Sequence, residues 1–128
     1  MINDIINRVN NDNGFIGNNN FKIIKLTDNE SIIECEIKET GLNSMGIAHG
    51  GLLFGLADTA AGTLAFTTGR KCVTSSANIN YLKPANGKIT ATATILKEGK
   101  NMGYYYVEIK NDKNELVATS LVNMFFIS

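Results

Sequence analysis

Apolar residues first recur at Ile2, Ile5, Ile6 and Val9, the i, i+3, i+4, i+7 spacing of one helix face. That spacing predicts a short amphipathic helix at the start of the chain. The run NDNGFIGNNN, residues 11–20, ends it with glycine and asparagine. From Phe21 to Glu39 the sequence FKIIKLTDNESIIECEIKE reads as a hairpin that turns at TDNE. In its second strand Ile33, Cys35 and Ile37 alternate with Glu34, Glu36 and Lys38, the period-two pattern of a half-buried strand.

The pattern changes at His49. From there to Thr68 nothing alternates; Leu, Ala, Gly and Phe dominate, and TTGR supplies a helix stop at Gly69. A run of about twenty residues is too long for a strand. A helix apolar nearly all round is expected to be buried nearly all round, with its glycines and alanines letting a sheet approach closely. Strand signals then continue to the end. CVTSSANINYLKP is closed by Pro84, and GKITATATILKEG places Ile89, Ala91, Ala93 and Ile95 on one face and Thr90, Thr92 and Thr94 on the other. MGYYYVEIKND turns at Asn111–Asn114 into ELVATSLVNMFFIS. The predicted order is helix, two strands, one long buried helix and a four-stranded meander. Strands segregated around one helix indicate α+β, an antiparallel sheet wrapped on that helix.

Composition narrows the class. With 128 residues, the chain has the length of one domain, 1–128. Hydrophobic residues at 44% against 19% charged mark a packed protein, not a disordered one. Lys and Arg number 12, as do Asp and Glu, so no basic excess points to nucleic acid, although local lysines could still hold an anionic group. No membrane partner is expected, because the longest apolar run contains His49 and Asp58. The N-terminus places acids and asparagines where a signal peptide needs a basic start, and Cys35 and Cys72 are read as reduced thiols. Together these indicate the cytoplasm.

Several chemistries find no support. Ser44 lies in NSMG and not in G-x-S-x-G; one histidine and two distant cysteines make no zinc cluster; HGG is not a P-loop. No metal and no cofactor is expected. What remains is built on the long helix. Gly50 and Gly51 stand at its start, where backbone N–H groups lack intrahelical partners and the helix dipole is positive. They either admit a ligand oxygen, as an oxyanion hole does, or simply make a tight turn. Asp58 shares a stripe with Gly51, Phe54, Gly62 and Ala65. It is either a paired or exposed structural acid, or a general base or nucleophile. His49 is a structural hydrogen-bonder or a base. Asn43 either donates to a substrate carbonyl or fixes its loop, and Thr74, Ser75 and Ser76 offer hydroxyls on the next strand.

Taken together, Asn43, HGG at His49–Gly51, LADTA around Asp58, NINYLKPA at Asn78–Ala85, EGK at Glu98–Lys100 and ELVATSLVNMF resemble a known family. It is that of the hotdog-fold acyl-CoA thioesterases, of the phenylacetate-degradation type and its mammalian relatives. The resemblance spans about residues 15–128 and implies a six-stranded antiparallel sheet around one long central helix. It implies an obligate homodimer, paired through the strand from Cys72 to Leu82, with two dimers forming a tetramer. The site would lie between protomers, with Asn43, His49 and Gly50 from one and Asp58 from the other. An acyl-CoA carbonyl would be polarised by the Gly50 N–H and the Asn43 amide. Asp58 would activate water or attack directly, His49 would orient the loop and Asn43, and Thr74 would help to hold the water. Gly51, Phe54 and Tyr81 would contact substrate, with Leu56 and Tyr104 to Tyr106 as further candidate walls. Lys83 and Lys100 would either meet the CoA phosphates or be solvated turn residues. Phenylacetyl and medium-chain acyl groups both remain open. A non-catalytic acyl-CoA-binding or sensing hotdog module is the alternative; a hotdog dehydratase fits the HGG–LAD pattern poorly.

Overall fold

The computed structural model describes Met1–Ser128. Two short helices, α1 (Ile2–Asn10) and α2 (Phe15–Asn18), precede the hairpin β1 (Phe21–Leu26) and β2 (Glu30–Glu36). A one-turn 3-10 segment (Glu39–Gly41) leads to the long helix α3 (Gly50–Phe66). Strands β3 (Cys72–Tyr81), β4 (Lys88–Glu98), β5 (Met102–Asn111) and β6 (Leu116–Phe126) complete the chain. All six strands form one antiparallel sheet in the order β1-β2-β4-β5-β6-β3, and this is the hotdog fold. No helix is long and apolar enough to cross a membrane.

The alternation read in the sequence sets which face meets the helix. Ile89, Ala91 and Ala93 of β4 are fully buried, as are Tyr105 and Val107 of β5 and Val117, Ala118 and Val122 of β6. Against them α3 lays Leu53, Leu56, Ala57, Ala60, Ala61 and Leu64, the i, i+3, i+4 stripe of one helix side. Alanines at the centre of that stripe bring the helix axis close to the strands. Ser31 and Thr63, both buried, meet across this interface in a 2.7 Å hydrogen bond, so neither hydroxyl is left unpaired.

Three expectations change. The last four strands are not a simple meander: β4, β5 and β6 are, but β3 crosses the sheet and pairs with β6 at the far edge. Nor is α3 buried all round. Its alanines face the sheet, while Gly51, Phe54, Gly55, Asp58, Thr59, Gly62 and Phe66 lie on a side that is at most half-buried in the protomer. Gly51, Gly55 and Gly62 therefore are not what lets the sheet approach. Finally, the Gly/Asn run after α1 is not only a break. It folds into α2, whose Phe15 ring lies so close over Gly55 that a Cβ there would come within 2.6 Å of it.

Candidate active site

α3 starts where the chain leaves an extended residue, His49 (φ −64°, ψ 138°). The His49 Nδ1 accepts a 2.8 Å hydrogen bond from the Gly51 N–H, so the histidine is the N-cap of the helix. An accepting Nδ1 places the proton of the neutral imidazole on Nε2. The histidine backbone N–H donates to Gly41 O, but the ring makes no hydrogen bond to Asn43. Asn43 is held by its own loop: its Oδ1 accepts from the Met45 and Ile47 N–H groups, and its Nδ2 has no partner within the chain. The loop reading of Asn43 is thus realised through the oxygen, with the amide N–H2 still free to donate.

With Gly51 capped, Gly50 is left as the helix residue whose N–H has no acceptor in the chain. Its carbonyl accepts from the Tyr81 hydroxyl at 2.8 Å, which ties the helix start to the end of β3. A Cβ at Gly50 would stand 3.1 Å from that hydroxyl, so a side chain there would crowd the tether. The cleft beside it, about 300 Å³, is lined by Ile47, Ala48, Gly50, Leu53, Tyr81, Leu82, Lys83, Pro84 and Ala85. Lys83 on its rim is paired with Glu115 at 2.5 Å. Hydrogen bonds from Lys83 and then Asn111 hold the Glu115 carboxyl below its ordinary range.

Asp58 lies two turns further along α3, half-buried on the open side. Thr74 reaches it from β3, donating from Oγ1 to Asp58 Oδ1 at 2.5 Å. Strand β3 bulges at Ser75: Thr74 pairs with Met124 and Ser76 with Asn123, leaving Ser75 as the extra residue next to Thr74. Around this pair runs a trough of about 280 Å³, walled by Val9, Ile16, Phe66, Val73 and Met124. Cys72 also lines it; burial and the nearby charge of Asp58 push its thiol up, which keeps it protonated and non-nucleophilic.

The predicted site residues therefore fall into two groups in one chain. Asn43, His49, Gly50, Gly51, Tyr81 and Lys83 gather at the start of α3, and Asp58 and Thr74 gather mid-helix. Eight residues of helix separate Gly50 from Asp58, about 12 Å along the axis. Phe54 is 38% exposed on the open side and lines neither cleft. Lys100 is exposed in the β4–β5 turn, where its carbonyl accepts from Arg70. Leu56 is core, Tyr105 is buried with its hydroxyl on Glu98 at 2.7 Å, and Tyr104 and Tyr106 alternate to the opposite sheet face. The trough residues Val9, Ile16, Phe66 and Met124 come from four separate elements, and no local sequence pattern distinguishes them from core.

Residues 45–118 match the family model described as the thioesterase superfamily. The chain is 35% identical over 98 residues to the acyl-coenzyme A thioesterase PaaI of Escherichia coli, an alignment covering 75% of this chain and 70% of that one. It is 31% identical to mouse acyl-coenzyme A thioesterase 13 over 93 residues, 70% of this chain and 66% of the mouse protein. The E. coli PaaI structure superposes with a TM-score of 0.92 at 26% identity, covering 99% of this chain and 94% of that one. A hypothetical thioesterase of Streptococcus pneumoniae, solved with coenzyme A, superposes with a TM-score of 0.81 at 28% identity, covering 84% and 86%. Two further structures of the S. pneumoniae protein carry alanine in place of an aspartate and of a threonine 16 positions beyond it, the separation of Asp58 and Thr74 here.

Proposed function

The chain belongs to the thioesterase superfamily, and from that premise we propose that it hydrolyses an acyl-CoA thioester to the free acid and CoA at a site shared by two protomers. The observation that carries the reading is the Thr74–Asp58 hydrogen bond in a trough that holds no other charged side chain. It fixes one carboxylate oxygen and leaves Oδ2 for chemistry. Oδ2 takes a proton from a water, whose oxygen attacks the thioester carbonyl carbon. Charge develops on the carbonyl oxygen, which is held by the free Gly50 N–H at the positive end of α3 and by the Asn43 amide. The C–S bond then breaks, and the thiolate leaves and takes up the proton. In the alternative, Oδ2 itself attacks the carbonyl carbon and expels the thiolate, and water then hydrolyses the acyl-aspartyl anhydride to the free acid and Asp58.

A separation of about 12 Å is too long for one carbonyl to touch Gly50 and Asp58 of the same chain. The geometry therefore favours Gly50, Asn43 and the His49 cap from one protomer and Asp58 with Thr74 from its partner. Edge strand β3, unpaired on its outer side and carrying exposed Val73 and Tyr81, is the surface on which the two chains pair. A homodimer, assembling further into a tetramer, follows as the working form. We place this single-domain protein, 1–128, in the cytoplasm, in keeping with the free thiols Cys35 and Cys72.

The test is Asp58→Asn, with thiol release measured over a panel of acyl-CoAs. The expected loss is about 10²–10⁴-fold with the fold intact; full activity would sink the assignment. Tight acyl-CoA binding by the wild type without any turnover would instead identify a binding or sensing module.

A further inference from the structure

We propose that the trough beside Asp58 receives the acyl arm of the thioester, and that its outer wall, built by α1 and α2, selects which acyl groups fit. This rests on the thioesterase reading above. With the carbonyl carbon at Asp58, the two arms of a thioester must leave in different directions. The trough contains no lysine or arginine. Its hydroxyls at Thr59 and Thr63 already donate to Gly55 O and Ala60 O within α3. An amide-rich, phosphate-bearing CoA arm would find few partners there, whereas an apolar acyl group would lose nothing. The nearby Arg70 guanidinium is spent on the carbonyls of Ser128, Gly99 and Lys100 and on the Phe126 ring, 3.9 Å from its centroid.

The floor of the trough is kept low. Gly62 lies in mid-helix one turn beyond Asp58, where glycine weakens the helix relative to alanine. A Cβ there would meet only the Met124 methyl, at an ordinary 3.5 Å. Packing does not demand glycine, so what its absent side chain provides is open space. An apolar cavity of about 150 Å³ holds a benzene ring. The 280 Å³ here suits a phenyl ring with a short spacer or a chain of about eight carbons.

The outer wall comes from Val9 on α1 and Ile16 on α2. Segment 11–20 is not a loose tail: the Gly14 N–H donates to Asp12 Oδ2 at 3.0 Å. Gly17 passes so close to the Asp12 carbonyl that a Cβ would sit 1.9 Å from its oxygen. Val9 and Ile16 lie outside the family-matched residues 45–118, which contain Gly50, Asp58 and Thr74. The shared segment carries the acid, its threonine and the helix start, and the flanking helices carry the choice of acyl group.

The experiment measures thiol release from acetyl-, butanoyl-, octanoyl- and phenylacetyl-CoA by the full chain and by Ile16→Trp and Ile16→Ala. Ile16 is half-buried, and circular dichroism checks that each variant folds. In Ile16→Trp the octanoyl-to-acetyl ratio of kcat/KM is expected to fall about tenfold or more, since each methylene in an apolar pocket is worth on the order of fourfold. In Ile16→Ala the ratio is expected to rise. A change uniform across all four substrates, or no change in either variant, overturns the inference while leaving the thioesterase reading intact. Absence of thiol release by the wild type from every substrate would remove that reading, and this one with it.

Discussion

At the residue scale the problem is how an acid tolerates the most apolar helix of the chain. Asp58 is half-buried on the open side of α3, where the Thr74 hydroxyl of β3 donates to it. It therefore does not bear the cost of an unpaired buried charge. That relation makes Thr74 the second residue to test. Thr74→Val keeps the shape and removes the donor that orients the Asp58 carboxylate. We expect kcat to fall about 10- to 100-fold in Thr74→Val and to recover in Thr74→Ser. Since Thr74 is exposed in the protomer, the melting temperature should barely move. A fall in activity matched by an equal fall in stability would make Thr74 a structural residue only. The acid and the helix start were legible in the sequence because HGG and LAD sit on one helix, so their spacing is local. The Thr74–Asp58 contact joins mid-helix to a strand and was not legible; the family resemblance singled out Thr74 only as a holder of the water. The histidine's part as a cap was not legible either, since a His N-cap depends on the extended ψ of residue 49 and not on a motif.

At the element scale, alternation located β2 and β4, turn signals bounded the other strands, and length without alternation located the long helix. α2 was missed. Four residues are too few for a periodic signal, and the segment folds through close approaches that only glycine allows. Gly55 shows this best. Glycine in mid-helix costs about 1 kcal/mol relative to alanine, but a Cβ here would stand 2.6 Å from the Phe15 ring. Two opposing effects are therefore combined in one substitution, and a double-mutant cycle separates them. Gly55→Ala in the wild type should gain nothing or lose stability in urea denaturation, because α2 must move. In a Phe15→Ala background the same change should stabilise by about 1 kcal/mol. Equal effects in both backgrounds would show that the ring does not constrain the helix. The two sides of α3 thus use small residues for different purposes: alanines against the sheet, glycines beneath α2 and in the trough.

At the scale of the whole molecule, the position of β3 lay beyond the reach of the sequence pattern, because a strand reads the same locally at any place in a sheet. The separation of Gly50 from Asp58, eight residues along one helix, is legible in the sequence, and the proposal that two chains share the site follows from it. The consequence can be tested without a structure of the dimer. Gly50 is the first residue of α3, where proline is well tolerated, and His49 already has the extended ψ of 138° that precedes a proline. Gly50→Pro should therefore remove the free N–H while sparing the helix, with Tyr81 shifting slightly because a Cβ comes 3.1 Å from its hydroxyl. Alone, Gly50→Pro and Asp58→Asn should each be nearly inactive. If the site is shared, a heterodimer of the two carries one doubly damaged site and one intact site. Random mixing makes about half the dimers hetero, so activity should return to about a quarter of the wild-type value. If each chain used its own Gly50 and Asp58, every site would hold one lesion and nothing would return. Mixing by unfolding and refolding together, with differently tagged chains to confirm heterodimers, separates these cases. Heterodimers without recovered thiol release would place the whole site within one protomer, and the 12 Å gap along α3 would then need a different explanation.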